Sequence, residues 1–499
     1  MKILSASQIR ELDAYTIAQT PIASIDLMER ACRAFSGWFV SHFQGRERVH
    51  VVCGTGNNGG DGMGVARMLR EQGYEPTCWV VKSGMSVTND FSVNLERAKT
   101  AGVRIFEIEA AAGGILAECD VIIDALFGSG LSRPAEGLYA WVIEEMNRSD
   151  AYRVAIDIPS GLRVDAASSG PIVVADYTIS FQLPKLAFMM SQNGKYVGDW
   201  KLVDIGLHRE FIKNADSGFH YTREKVIRRN LQDRNRFDHK GTYGHALLIA
   251  GSLGKIGAAV LASRAALRAG LGLLTVHVPR CGNVILQSSV PEAMVSLDRD
   301  EEMFTAPPAM EAYSSVGIGP GLGRSSESVH ALEFVLRHYR HPMVIDADAL
   351  NILSEQKELM SLIPEGSILT PHPREFERLA GKTTDDFARL EALRELAKRT
   401  RCVVVLKGAY TAIAEPGGQV HFNSTGNPGM ATGGTGDTLT GIITGLLAQK
   451  YSSLDAARIG VFVHGLSGDL VARELGMTSL IASDLTEFLP SAFLKLHRK

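Results

Sequence analysis

Short apolar strands alternate with helical runs along nearly the whole chain, and glycine gathers where a strand hands over to a helix. RVHVVC (48–53) is a β-branched strand, and GTGNNGGDGMGVARMLREQG follows it directly. MGVARMLREQ reads as a helix that Gly73 stops. TCWVV (77–81) is the next strand, DVIIDALFGSGL (120–131) runs from strand into glycine loop, and RVAIDIPSGL (153–162) repeats that design. Two helical runs precede them, QIRELDAYTIA, with Ser7 placed as its cap, and DLMERACRAFSGWFVSHF. Strands alternating with helices predict βαβ units and mostly parallel, doubly wound sheets.

The pattern weakens around residues 205–235, where DIGLHREFIKNADSGFH has no sustained period and VIRRNLQDRNRFDHKG is polar, so a domain boundary is expected near residue 220. A second α/β pattern then begins. HALLIAGSLGKIGAAVLASRAALRAGLGLLTVHVP (245–279) reads strand, glycine loop, helix, strand. MVIDADALNIL (343–353) is a buried strand leading into a helix, and SILTPHPREFERLAG (367–381) is strand, polar turn, helix. CVVVLKGAYTAIAEPGGQVHF (402–422) reads as a strand pair, and NPGMATGGTGDTLTGIITGLLA (427–448) as a glycine loop opening an apolar helix.

Glycine is also in excess overall, 50 of 499 residues, against a usual share near 7%. Twenty-two of the 50 fall within residues 54–64, 241–257, 317–323 and 426–445, which points to backbone built to approach ligands closely rather than to loose linkers. Lys+Arg (52) and Asp+Glu (55) nearly balance, which argues against nucleic-acid binding through a global basic field. No apolar run reaches membrane-span length, and the N-terminus lacks a signal-type apolar core. Six scattered cysteines without a C-x-x-C pair predict neither a disulfide framework nor a cysteine zinc site, and fit a reducing cytoplasm. The expected setting is a cytoplasmic homo-oligomer with small-molecule substrates, no nucleic acid and no membrane.

Gly54, Gly56 and Gly59 satisfy G-x-G-x-x-G, but Glu75 precedes its strand and Lys82 follows it, so the ribose-binding acid of a standard nicotinamide dehydrogenase is not in place. The continuation Asn57-Asn58-Gly59-Gly60-Asp61-Gly62 presses two amides and a carboxylate into an expected loop at a helix N-terminus, where converging N–H groups bind anions. The structural alternative is that Asp61 caps the helix and the asparagines make turns. Asp124 ends VIID and Asp157 ends the strand of AIDIPSG. Ligands in open α/β sheets bind outside the carboxyl ends of strands, so Asn58, Asp124, Asp157 and Ser160 are expected around one crevice. That all-oxygen set suits a hard cation better than zinc, while each acid alone fits a strand-end cap or ion pair equally well.

GTGNNGGDG, VIIDALFGSGL and AIDIPSG together resemble the NAD(P)H-hydrate epimerase domain, a Rossmann-like doubly wound fold, over residues 1–215. The resemblance implies a potassium ion held by Asn58, Asp124 and Ser160. It implies substrate binding by Asn57, Asn58, Gly59, Gly60 and Asp61, by Gly128, Ser129, Gly130, Leu131, Ser132, Arg133 and Pro134, and by Asp157. Lys185, in FQLPKLAF, is the candidate acid–base partner of Asp157, against the ordinary solvated lysine.

In the second half, Gly433-Gly434-Thr435-Gly436-Asp437-Thr438 opens an apolar helix. Its free N–H groups suit a phosphate and the charge developing on it, and Asp437 is placed to take a hydroxyl proton as general base. An N-cap aspartate is the structural alternative. There is no G-x-x-x-x-G-K-[ST], so this is not a P-loop protein. G-x-G-D at a helix start resembles the ribokinase-like superfamily. More narrowly, NPGMATGGTGDTLTG, TPHPREFERLAG and VVLKGAYT resemble the NAD(P)H-hydrate dehydratase domain over residues 222–499. That resemblance implies nucleotide contacts from Lys407, Gly408, Ala409, Tyr410, Thr411 and Gly436. Asp437, His372, Ala258 and Gly321 would face or line the hydrated nicotinamide. Lys407 has a strand-end salt bridge as its rival role, and His372 a buried structural one. Asp346 and Asp348, in VIDADALN, fit either an arrangement of Mg²⁺ or water, or structural hydrogen bonding.

Together the resemblances imply a bifunctional repair enzyme, an isomerase and lyase in one chain. It would interconvert the R and S epimers of hydrated NADH and NADPH, then dehydrate the S form with ADP as phosphoryl donor, giving AMP and phosphate, with K⁺ in the first domain and Mg²⁺ in the second. Two other readings stay open: a small-molecule kinase with a stable phosphorylated product and a regulatory N-terminal half, or an N-terminal binding module without catalysis.

Overall fold

The alternation of strand and helix builds two separate sheets. The computed structural model describes residues 1–497 apart from 46, 83, 85, 115 and 117. The chain divides into two compact units, one of Lys2–Ser217 with Asp385–Phe387, the other of Gly218–Thr384 and Ala388–Lys499 with Met1.

In the first unit the strands lie in the order Arg104–Ile108, Thr77–Val81, Val49–Cys53, Val121–Ala125, Tyr152–Ile156, Tyr177–Phe181, Asp199–Val203. Every neighbouring pair is parallel. The chain winds outward one way from Val49–Cys53 and then the other way from Val121–Ala125, so the switch point lies between these two strands, where a crevice opens at their carboxyl ends. Both faces are covered. Val51, Cys53, Ile123 and Ala125 pack with Phe35, Phe39, Met63 and Leu69. Val52 and Ile122, pointing the other way, pack with Tyr139, Val142, Ile143 and Met146. Burial on both faces is why these strands read as unbroken apolar runs. The first helix, Ala6–Gln19, is capped by Ser5 and not by Ser7: the Ser5 hydroxyl accepts from Gln8 N–H while the Gln8 side chain accepts from Ser5 N–H, a reciprocal pair that Ser7 lacks the spacing to make.

In the second unit the order is Phe219–Tyr221, Val420–Phe422, Ala412–Ala414, Val403–Leu406, Ile368–Leu369, Met343–Ile345, Ser315–Ile318, His245–Ile249, Leu273–Val278, Met294–Leu297. Only the pairs on either side of Ala412–Ala414 are antiparallel. The expected strand pair within 402–422 is therefore three strands, because a tight turn at Glu415–Gln419, with Gly418 at positive φ, folds the second half into its own hairpin. The weakly patterned stretch near residue 220 contributes the strand Phe219–Tyr221, parallel to Val420–Phe422.

The helix Thr435–Ala448 is buried along nearly its whole length and lies against the helix Ile256–Arg268. A Cβ on Gly441 would stand 2.0 Å from the Ala262 carbonyl oxygen, and one on Gly445 would stand 2.8 Å from that of Ala266. These glycines, four apart on one face, serve helix-to-helix approach and not a ligand. That corrects part of the sequence reading of glycine. Among the described residues, no helix is long and apolar enough to cross a membrane.

Candidate active sites

In the first unit the expected loop Asn57–Asp61 is already helix: Asn57–Glu71 is helical, with Gly56 as its N-cap. Tertiary packing overrides the poor helix propensity of glycine here. A Cβ on Gly59 would lie 1.9 Å from the Gly54 carbonyl oxygen, and one on Gly62 would lie 2.6 Å from the Ala125 side chain. The glycines thus let the helix sit directly on its strands. Asp61, inside the helix, is not a cap.

Asn58, Asp124 and Ser160 converge as expected. Asp124 is fully buried; one carboxylate oxygen accepts from the Ser160 hydroxyl at 2.6 Å and the other from Ser160 N–H at 2.7 Å. Asn58 donates to the Ile156 carbonyl at 3.0 Å, while its side-chain oxygen is buried with no hydrogen-bond partner. Gly128 closes over this amide, a Cβ there falling 3.3 Å from Asn58 Cβ. Burial pushes the Asp124 carboxyl up to about 6, against the bonds from Ser160 and Leu126. An orphaned amide oxygen beside a buried carboxylate and a hydroxyl matches the donor set of a hard monovalent cation. The rest of the Gly128–Pro134 turn forms an accessible rim, with Gly130, Ser132, Arg133 and Pro134 exposed, and Asn57 is exposed at the helix start.

Asp157 follows its strand at φ 67°, a left-handed conformation uncommon for a residue with a side chain. Its Oδ1 accepts from Phe181 N–H at 3.0 Å, from the Ser180 hydroxyl at 3.2 Å and from the Lys185 ammonium. Lys185 is 1% exposed and also donates to Ser180 Oγ at 2.8 Å, so it is a buried partner and not a solvated lysine. Two further acids share this field. Burial, then Asp157, Asp13 and Asp90, pushes the Asp61 carboxyl well above the usual range. Burial, then Asp157, pushes Asp13 up to about 6, with Lys185 opposing. Asp13 carried no sequence signal: it is one acid in the helix Ala6–Gln19.

In the second unit Gly434, at φ 87°, is the N-cap of Thr435–Ala448 and offers no side chain of its own. Asp437 is in the first helical turn and is not the N-cap. Burial, then Asp346 and Asp348, pushes its carboxyl up to about 6, with Lys407 opposing. A Cβ on Gly436 would stand 3.4 Å from Lys407 Nζ, so the ammonium lies over the helix end. Lys407 pairs with Asp346 at 2.9 Å, which confirms the salt bridge and leaves the ammonium at the site. Thr411 Oγ1 bonds back to Gly408, closing the 407–411 turn, with Gly408 and Ala409 exposed. Tyr410 is partly exposed in the same turn.

Gly321 and Ala258 are neighbours: a Cβ on Gly321, whose φ is 62°, would fall 3.2 Å from Ala258 Cβ. His372 N-caps the helix Pro373–Ala380 through Nδ1, pairs with Glu375 at 3.3 Å and keeps a side chain 44% exposed. It therefore fills its structural role and still presents its ring. Burial and the Lys407 charge pull its pKa down, favouring the neutral ring. Asp348 accepts from Gly323 N–H at 2.9 Å and faces Lys255 at 3.5 Å. Among the described residues, no three His, Cys, Asp or Glu side chains group as a metal site.

Residues 246–491 match the family model described as NAD(P)H-hydrate dehydratase, and residues 24–187 that described as YjeF-related protein N-terminus. The chain is 36% identical to the bifunctional NAD(P)H-hydrate repair enzyme of Moorella thermoacetica, over 100% of this chain and 98% of that one. It is 35% identical to the Thermofilum pendens enzyme of the same name, over 99% and 97%. A solved structure of the ADP/ATP-dependent NAD(P)H-hydrate dehydratase of Bacillus subtilis, co-crystallised with ATP/Mg²⁺, is 35% identical, with TM-score 0.51, covering 56% of this chain and 99% of that one.

Proposed function

The chain belongs to the family of bifunctional NAD(P)H-hydrate repair enzymes, and on that premise we propose how its residues divide the work. It epimerises hydrated NADH and NADPH and dehydrates the hydrate with an adenine nucleotide. Residues 1–215 are assigned the epimerase and residues 222–499 the dehydratase.

In the epimerase, Asp157 handles the proton at the reacting carbon's hydroxyl. Its Oδ1 is saturated by three donors, which leaves Oδ2 for the substrate. Lys185 is its acid–base partner and holds it in place. The rim Gly128–Pro134 and the helix start Asn57–Asp61 bind the hydrate. Asn58, Asp124 and Ser160 would hold K⁺, which would supply a fixed positive charge at the crevice.

In the dehydratase, the ring hydroxyl at C6 of the S epimer gives its proton to Asp437 while its oxygen bonds to the terminal phosphorus of the nucleotide. With ADP, the donor proposed here, AMP leaves. The amides at Gly434–Gly436 and the Lys407 ammonium meet the charge on the transferring group. The ring nitrogen then expels phosphate from C6, and loss of a proton from C5 restores the double bond. Mg²⁺ would ride on the nucleotide phosphates, as is usual for this ion; none of the carboxylates is assigned to it. His372, Ala258 and Gly321 line the nicotinamide side. Lys407 to Thr411 and Gly436 contact the nucleotide. A cytoplasmic homo-oligomer is the proposed setting.

The observation that carries this reading is Asp437 in the first turn of a glycine-opened helix with the Lys407 ammonium beside it. The test is to incubate an epimer mixture of hydrated NADH with the protein and ADP or ATP, following the absorbance of the reduced ring. Full recovery supports both halves. Recovery that halts at the S fraction removes the epimerase. Phosphate transferred to a stable alcohol ester removes the dehydratase.

A further inference from the structure

Asp346 follows the strand Met343–Ile345 and stands at the N-cap of the helix Ala347–Glu355. An aspartate there ordinarily accepts a hydrogen bond from its own helix. This one makes no such bond. Its side chain is instead spent on two partners distant in sequence: Oδ1 accepts from Lys407 Nζ at 2.9 Å, and Oδ2 accepts from Thr440 Oγ1 at 2.6 Å. Asp346 is 1% exposed.

The backbone around it is held hard. Ala347 has φ 48°, which a residue with a side chain adopts at a cost. A Cβ on Gly319 would lie 1.9 Å from the Asp346 carbonyl oxygen, so the neighbouring strand end leaves no room for Asp346 to drift. Thr440 lies on the same helix as Asp437, and Gly436 one turn before Thr440 leaves the gap that Lys407 Nζ occupies. The carboxylate thus bridges the lysine to the helix that carries the base. An ammonium has three donors, and Asp346 takes one, so the others are available to an anion at the helix mouth.

We propose that Asp346 is a positioning residue of the dehydratase: it ties Lys407 to the helix Thr435–Ala448 so that the ammonium meets the transferring phosphoryl group. A fixed donor costs no reorganisation during transfer, whereas a free lysine on four carbons does. The charged and titratable groups around Asp437 are Asp346 and Asp348 from the VIDADALN segment and Lys407 from the strand end. His464, on the helix Ser453–Leu475, reaches the same helix start by bonding the Thr435 carbonyl at 2.9 Å; burial pulls its pKa down to about 4, so it adds no charge near neutral pH.

This inference rests on the reading of Asp437 as the base, and the test separates the two. Dehydration kinetics are measured for Asp346→Asn, Lys407→Met, the double variant and Asp346→Glu, with thermal melting of each. Asp346→Asn is expected to lower kcat roughly tenfold to a hundredfold, comparable to losing one aligned donor, with the KM for the hydrate little changed. Because Asp346 acts through Lys407, the double variant is expected to be no slower than Lys407→Met alone. Asp346→Glu recovers part of the rate. Asp346→Asn also shifts the acid limb of kcat to lower pH, since a negative charge beside Asp437 is gone. Losses that multiply in the double variant overturn the tether, as does an unchanged kcat and pH limb in Asp346→Asn. If Asp346→Asn melts too low to assay, Thr440→Val removes the other anchor, and its loss must likewise vanish in the Lys407→Met background. If Asp437→Asn still dehydrates, the base assignment alone falls, and the Asp346–Lys407 coupling is still read from the double variant.

Discussion

Both units open a helix on a cluster of glycines with an aspartate inside it, yet the two aspartates have different fates. Asp61 is the fifth residue of its helix; burial first, and then Asp157, Asp13 and Asp90, favour its protonated form. Asp437 is the third residue of its helix, at the open end, with a lysine beside it and a pKa of about 6. A shift of two residues along a helix moves an acid from the packed flank to the mouth. On the proposed assignment the reacting acid of the first unit comes from elsewhere, Asp157 at the end of another strand, where the buried Lys185 pairs with it. In the second unit the same assignment makes the motif acid, Asp437, the reacting group, with Lys407 held at its helix start.

The largest expected effect tests that contrast directly. Asp437→Asn should slow dehydration by about 10²–10⁴-fold, the usual worth of a general base, while epimer interconversion, followed chromatographically, proceeds at the native rate. In the native protein the dehydration rate should fall as pH drops through about 6, where Asp437 takes up its proton. Asp157→Asn should slow epimerisation by a similar factor, roughly 10²–10⁴, and leave ring recovery stalled at the S fraction. Asp61→Asn should cost far less than Asp157→Asn; an equal loss would break the comparison.

The next effect concerns Asp124. Its folded pKa, about 6, is raised above its ordinary 3.8, so the folded state binds the proton more tightly. Stability is then fully present below about pH 4 and falls as pH rises through 6, by on the order of 3 kcal/mol once ionised. The K⁺ proposed at Asn58, Asp124 and Ser160 would offset that loss. The melting temperature should therefore rise with KCl over an equal concentration of a bulky organic chloride, more at pH well above 6 than below it, and Asn58→Ala should shrink the gain. No difference between the two salts at any pH would remove the cation from this site.

Smaller still are the glycines that only pack. Gly59→Ala and Gly441→Ala each place a Cβ within 2.0 Å of a backbone oxygen, and should cost about 1–3 kcal/mol or more in denaturant unfolding. Gly433, where a Cβ would meet nothing within 4 Å, should tolerate alanine to within about 0.5 kcal/mol. Equal costs at all three would mean that packing does not distinguish them.

Strand ends and helix starts were legible in the residues, and so was the convergence of Asn58, Asp124 and Ser160, because parallel sheets put strand ends on one edge. Less legible was what glycine does. Asn57–Asp61 reads as a loop by propensity and folds as helix, since clearance between helix and strand outweighs a propensity of about 1 kcal/mol per glycine. Ser7 lost the cap to Ser5 for a local reason, the partner at Gln8. Asp13 had no signal because it approaches Asp157 only through the fold.

By itself the sequence determined two mostly parallel α/β units, the family, and the motifs from which each site is drawn, because these follow from local periodicity and from residues adjacent in the chain. Only the tertiary structure decided which charges face one another. Lys185 meets Asp157 across 28 residues, Lys407 meets Asp346 across 61, and Thr440 meets Asp346 across 94. The proton affinity of a carboxylate depends on burial and on charges a few ångströms away, and no spacing along the chain encodes those distances.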